Sequence, residues 1–174
     1  RIVKFWKYDL PLTIRKHHRT VLFSFLVFLV FFAIGFLLSQ KDESIPRSIL
    51  GDNYVESTKE NIAKKNPFGV YESGNPVLSW ISLMIHNIKV SLLMFVSGIF
   101  CGIPSLYLSA QNAVMLGSFD QFFASHGLGV DFWLVVFVHG TLEITAIILA
   151  GGAGLILGKG FLFPGTIKRI DAFK

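Results

Sequence analysis

The chain has 174 residues, of which 52% are hydrophobic, 18 are Phe and only 16% are charged, and its mean hydropathy is +0.59. That balance suits lipid better than water and leaves room for one compact unit. The net charge of +5 sits in short basic runs beside apolar spans rather than on a polar face with interleaved aromatics, which excludes nucleic acid in favour of anionic lipid headgroups. The single cysteine, Cys101, excludes an intramolecular disulfide and a cysteine-based metal framework.

Residues 1–19 hold six Lys/Arg against one Asp and end in "RKHHR", Arg15 to Arg19. The chain opens on Arg1 rather than Met, so a processed or trimmed chain is expected. Next comes "TVLFSFLVFLVFFAIGFLLSQ", residues 20–40, without a charge. At about 1.5 Å per residue it is long enough to cross a hydrocarbon core of about 30 Å. It exceeds the apolar core of a signal peptide and lacks a small-residue cleavage site, so it reads as a membrane anchor. The positive-inside rule puts residues 1–19 in the cytoplasm, with Arg15, Lys16 and Arg19 at the lipid headgroups and His17 and His18 at the interface.

Residues 41–77 carry five Lys/Arg and six Asp/Glu with several Pro, Gly and Asn, the composition of an extracytoplasmic loop. Within it, "DNYVESTKENIAKKNP" predicts a short helix capped by Asp52 or Asn53, supported by a Glu60/Lys64 pair and stopped at Asn66 and Pro67.

Residues 78–158 predict the membrane bundle. A span over 81–103 carries His86, Asn87 and Lys89 in its outer third, where Lys89 can snorkel toward headgroups. A strongly apolar span covers 132–157, and the tail 159–174 brings Lys159, Lys168, Arg169 and Lys174, with Lys168 and Arg169 meeting headgroups. With three crossings this basic tail would face outside. Residues 104–123 must therefore cross as well, either as a helix shielded by its neighbours or as broken or re-entrant pieces buried in protein. The expected fold is an all-α, polytopic membrane bundle of four crossings with both termini cytoplasmic.

At 100° per residue, His139, Glu143, Ala146, Ala150 and Gly154 share one face of the last helix, with Gly158 at its edge. On the second span Asn87, Ser91, Met94, Gly98 and Gly102 align, and "GIFCG" has the GxxxG form that lets backbones approach closely in lipid. These faces are expected to meet each other or the helix of Gln111 and Asn112. An ionised Glu at mid-membrane costs about 2.5 to 3.5 kcal/mol, so Glu143 is expected inside the bundle with His139 as its nearest partner.

Three readings stay open for that pair. It fastens helices together, or it forms with Asn87, Gln111 and Asn112 an intramembrane site for protons, ions or a lipid headgroup, or it holds a metal. "HGTLE" offers one His and one Glu without a second ligand at matching spacing, and the chain has no GxSxG elbow, Walker A loop or dinucleotide fingerprint. No catalytic residue, metal or cofactor is expected.

The residues "NIKVSLLMFVSGIFCGIPSLY" from Asn87, "QNAVMLGSF" from Gln111 and above all "HGTLEITAIILAGGAGLILG" from His139 resemble the stage II sporulation protein M family. The last stretch has the His-Gly-x-x-Glu form followed by Ala and Gly at small-residue spacing, then Pro164, Gly165, Lys168 and Arg169. The resemblance runs from about Arg15 to Arg169. His86 stands where many relatives have Asn, and longer relatives continue into a further apolar segment. The likeness implies a helical protein of the cytoplasmic membrane and, in sporulation members, a scaffold that recruits peptidoglycan-degrading enzymes. The expected function is a non-enzymatic scaffold or membrane subunit of a cell-envelope assembly, partnered by membrane lipids and by a second copy, another membrane protein or a peptidoglycan enzyme. A transporter or channel-like component is the alternative, and an intramembrane metallohydrolase the third reading.

Overall fold

The structure is a computed structural model and describes residues 2–42, 44–64, 66 and 76–163. Every regular element among them is helical. The chain begins with α1 (Ile2–Lys4), a π-helical stretch (Phe5–Asp9) and α2 (Leu10–Lys16), all without a buried residue. His17 breaks the run, and α3 (His18–Lys41) follows.

Asp42 leaves the helix in extended backbone, and its Oδ1 accepts the Ser44 N–H at 2.8 Å at the start of α4 (Ser44–Leu50). That hydrogen bond holds the Asp42 carboxyl below its usual range. Next comes α5 (Asp52–Ala63), preceded by Gly51 at φ +91°. The expected side-chain cap by Asp52 or Asn53 is not made. Gly51 turns the chain through a conformation that L side chains rarely adopt, and Asp52, already helical, faces Arg47 at 3.5 Å. Glu56 completes the contact with Arg47 at 2.5 Å and raises the guanidinium above its ordinary range. The Glu60/Lys64 pair forms at 3.9 Å.

The longest elements after the loop are α6 (Pro76–Ser97), α7 (Ile103–Ser125) and α8 (Gly129–Leu162). Two boundaries differ from the sequence reading. The second span stops at Ser97, and "GIFCG" is a turn with Cys101 at φ +61° and Gly102 at φ +75°, because a left-handed pair reverses the chain where a helix cannot. The segment 104–123 is one uninterrupted helix, opened by Pro104 in its first turn, rather than broken or re-entrant pieces. α8 has 34 residues, about 51 Å at 1.5 Å per residue, so it outruns a 30 Å core.

Contacts fix the helix directions. Gly98 lies against Gly154 and Gly102 against Gly158, so α6 and α8 run the same way. Gly35 meets Val114 and Ser39 meets Ser118, so α3 and α7 also run together. Val21 packs on Gly152 and Ser24 donates to the Ile148 carbonyl, which makes α3 antiparallel to α8. The central core takes one buried residue from each long helix: Phe28, Met94, Ala113 and Ile147. A second core joins Val55 of α5 to Phe122, Phe123 and Phe132 at the α7/α8 turn. Two segments, His18–Lys41 and Gly140–Leu162, are long and apolar enough to cross a membrane, and Ile81–Ser97 is a shorter apolar helix.

Candidate functional site

The bundle buries small hydroxyls beside its apolar core and leaves much apolar surface outside. Ser24, Ser39, Ser105, Ser109 and Ser118 are buried, whereas Leu22, Phe23, Leu26, Leu29 and Val30 of α3 are each about half exposed or close to it. Water would favour the reverse arrangement; a lipid solvent removes the hydrophobic penalty outside and rewards hydrogen bonds and close packing inside. The hydroxyls are used accordingly. Ser105 donates to the Met94 carbonyl at 2.6 Å, Ser97 to the same oxygen at 3.0 Å, and Ser39 to Ser118 at 2.9 Å. Ser109 Oγ is buried without a hydrogen-bond partner.

Glycine makes these contacts possible. A methyl at Gly98 would run into the Gly154 carbonyl, at Gly35 into the Val114 backbone, and at Gly117 into the Phe32 carbonyl. A methyl at Gly158 would lie 2.5 Å from the Gly102 nitrogen. Gly98, Gly102, Gly154 and Gly158 therefore line one seam between α6 and α8.

The sequence-derived face of α8 is rotated, however. Ala146 is exposed and Ala150 half-buried, while the buried positions are Phe132, Gly140, Ile147, Gly151, Gly152, Gly154 and Gly158. Their mean direction lies roughly 70° from the predicted one at 100° per residue. A methyl at Gly151 would lie 2.8 Å from Ser24 Oγ, 3.5 Å from Met94 Sδ and 3.8 Å from Ser109 Oγ, so α3, α6 and α7 all pack on this side of α8.

The expected polar residues do not gather into one hydrogen-bonded set. Gln111 is exposed and donates to the Tyr107 hydroxyl at 2.9 Å. Asn112 is half-buried and turns back on its own helix, donating to the Leu108 carbonyl at 2.8 Å. Asn87 and Glu143 are half-buried, and neither has a hydrogen bond or ion pair among the described residues. The backbone of His139 lies within α8, but its side chain falls outside the described residues, as do Lys168 and Arg169. Arg15, Lys16 and Arg19 are exposed around the α2/α3 junction. Among the described residues, no three of His, Cys, Asp and Glu come together as metal ligands would.

Two features were not read from the sequence. Asp120 is buried at 8% exposure, with the Trp133 indole as its hydrogen-bond donor; an Asp within the Phe-rich "SFDQFF" was the available signal. An open, largely apolar groove runs between α2, α3 and α8, with Ile14, Leu22, Phe25 and Leu149 among its walls. Lys89, expected from the sequence to snorkel, is exposed on α6 without a partner among the described residues. It lies about 20 Å along the helix from Pro76 and about 12 Å from Ser97.

A comparison with family models matches residues 24–174 to the family described as stage II sporulation protein M. No curated protein and no solved structure matches the chain.

Proposed function

Because this chain belongs to the stage II sporulation protein M family, we propose that it is a multi-pass protein of the cytoplasmic membrane. In this reading α3, α6, α7 and α8 cross, both termini lie in the cytoplasm, and α4 and α5 form an outer cap. It acts without catalysis, as a scaffold or membrane subunit of a cell-envelope assembly that engages lipids and a membrane or peptidoglycan-enzyme partner. One observation carries the membrane reading: the bundle hides serines while the long helices leave many large apolar side chains exposed. The helix directions support four crossings, since two parallel pairs running oppositely return the chain to its starting side. The inner end of α8 is then marked by Lys159, in keeping with the positive-inside rule.

The scaffold part is supported by how the polar groups are used. Ser24, Ser39 and Ser105 bond across helices and thus fasten the bundle, whereas Gln111 and Asn112 are satisfied within α7. Glu143, half-buried and unpaired among the described residues, favours the transporter reading as a second possibility. Thiol labelling in a Cys101→Ser background tests the topology: Ser125→Cys should react from outside and Lys159→Cys only from inside, and external labelling of Lys159→Cys would overturn four crossings. Glu143→Gln separates the two functions. A scaffold retains partner capture, whereas a transport site loses flux in proteoliposomes while the protein stays folded.

A further inference from the structure

The groove between α2, α3 and α8 is open along its length and has a shape and a charge that suit one kind of occupant. His18, Val21, Leu22 and Phe25 follow the i, i+3, i+4, i+7 spacing of a single helix face and make one wall; α8 makes the other, with Thr145 at its deep end. The two polar members of the lining are turned to their own backbone. His18 Nδ1–H donates to the Arg15 carbonyl at 2.9 Å, and the Thr145 hydroxyl donates to the Thr141 carbonyl at 2.6 Å. The walls are therefore hydrocarbon almost throughout.

Contacts between α3 and α8 set the length of the groove. Val21 lies against Gly152 and Ser24 against Gly151, so in this antiparallel pair Thr145 comes level with α3 about one turn past Phe25. From His18 to that level is about 15 Å, which is one leaflet of a hydrocarbon core of about 30 Å. The groove holds about 550 Å³. Spread over that length, the volume gives a cross-section of roughly 40 Å², less than half that of a helix about 10 Å across.

The shallow end is cationic. Arg15, Lys16 and Arg19 are exposed beside Ile14 and His18, which line that end. They are the only Lys, Arg, Asp or Glu between residues 10 and 40, and none of them is ion-paired among the described residues. Just before them Trp6 and Tyr8 are 64 and 54% exposed, residue types that settle at the level of lipid headgroups.

We propose that the groove binds one anionic phospholipid of the inner leaflet. An acyl chain lies between α3 and α8 as far as Thr145, and the headgroup phosphate meets Arg15, Lys16 and Arg19. The occupant is identified by the junction of an apolar trough of leaflet length with a cationic mouth. A free phosphate makes no use of the trough, a helix is too wide for it, and a second copy docked there would set three cations against three. The inference deepens the lipid part of the proposed function and rests on its membrane reading; thiol labelling of Ser125→Cys and Lys159→Cys tests that reading without involving this site.

The experiment places the full chain in phosphatidylcholine bilayers with a trace of phosphatidylglycerol that carries a photoreactive group at the end of one acyl chain. Irradiation should label Phe25 and residues 145–149, at about one lipid per chain. Unlabelled phosphatidylglycerol should displace the probe at least tenfold more effectively than phosphatidylcholine with the same chains. Label spread evenly over the exposed faces of α3 and α6, or displaced equally by both lipids, overturns the proposal, because lipid that only surrounds the bundle behaves in that way. Arg15→Gln, Lys16→Gln and Arg19→Gln together should abolish the preference, whereas Lys41→Gln, Lys59→Gln and Lys64→Gln at the other end of the bundle should leave it intact. Thr145→Trp, at an exposed position, fills the deep end and should cut labelling roughly tenfold; a Thr145→Trp chain that labels as the native chain does overturns the groove. So does competition by inorganic phosphate, or by dihexanoyl phosphatidylglycerol, that matches the long-chain lipid, since the headgroup alone would then account for binding.

Discussion

The two cores of this molecule hold together by opposite means. At the closest approaches of α6 with α8, and of α3 with α7, glycines bring backbone onto backbone while serines bond to carbonyls, beside Phe28, Met94 and Ile147. At the cap, Val55 of α5 and Phe122, Phe123 and Phe132 fill space with bulk: Phe123 and Phe132 stack at 5.2 Å and Phe122 stands edge-on to Phe123 at 5.7 Å. The seam suits a solvent that gives no hydrophobic drive between helices. The cap includes the charged loop helix α5, whose water-facing side makes burial of aromatic surface favourable. A seam should therefore fail when volume is added, and a cap when volume is removed.

The largest effect is expected at the seam. Gly98→Val puts side-chain atoms into the Gly154 carbonyl and should cost more than about 4 kcal/mol, seen as loss of the folded band in detergent unfolding. If Gly98→Val retained native stability, the contrast between the two cores would collapse. Phe123→Ala at the cap should come second, at about 3 to 5 kcal/mol by the same measurement, with the seam still assembled. Ser105→Ala removes the hydrogen bond to the Met94 carbonyl; in membrane bundles such bonds average about 0.6 kcal/mol and reach about 1.7, so a small loss sharpens the view that the seam depends on approach more than on polarity.

The smallest effect concerns Asp42, where α3 hands over to α4. Its carboxyl titrates lower in the folded chain than when unfolded, so its contribution is complete above the unfolded value of about 3.9 and is lost as the pH falls through the lower folded value. Carboxyl NMR titration should place the native midpoint below that of an unfolded peptide, with amide exchange in α4 quickening only in acid. A native midpoint at or above the peptide value would remove Asp42 as the start signal of α4.

The seam was more legible than the cap. Thr20 to Gln40 announces α3 by its unbroken apolar run, and the Gly98/Gly102 and Gly154/Gly158 spacings point to close backbone contact. Phase was harder to read. Counting Ala146 and Ala150 with the glycines rotates the face of α8, because alanine serves equally well against lipid and against a helix, and only tertiary contact with Ser24, Met94 and Ser109 decides between them. The cap escaped because Val55 and Phe132 are 77 residues apart in the chain and local periodicity carries no trace of their meeting. Gln111 and Asn112 looked like a shared polar centre from their adjacency; successive residues on a helix point about 100° apart, and each found a partner on its own helix.

The buried serines of α7 have a consequence for how the protein is made. Ser105, Ser109 and Ser118 with Asp120 leave α7 outside the set of helices apolar enough to cross on their own composition. Such a segment partitions poorly from the translocon into bilayer by itself, and the five-residue Gly98–Gly102 turn ties it to apolar α6. Biogenesis should accordingly deliver α6 and α7 as a hairpin onto an α3 that is already in place. A glycosylation acceptor placed after Ser125 in nascent chains truncated before α8 should reach the outer side efficiently when α3 precedes it, and poorly when α3 is deleted.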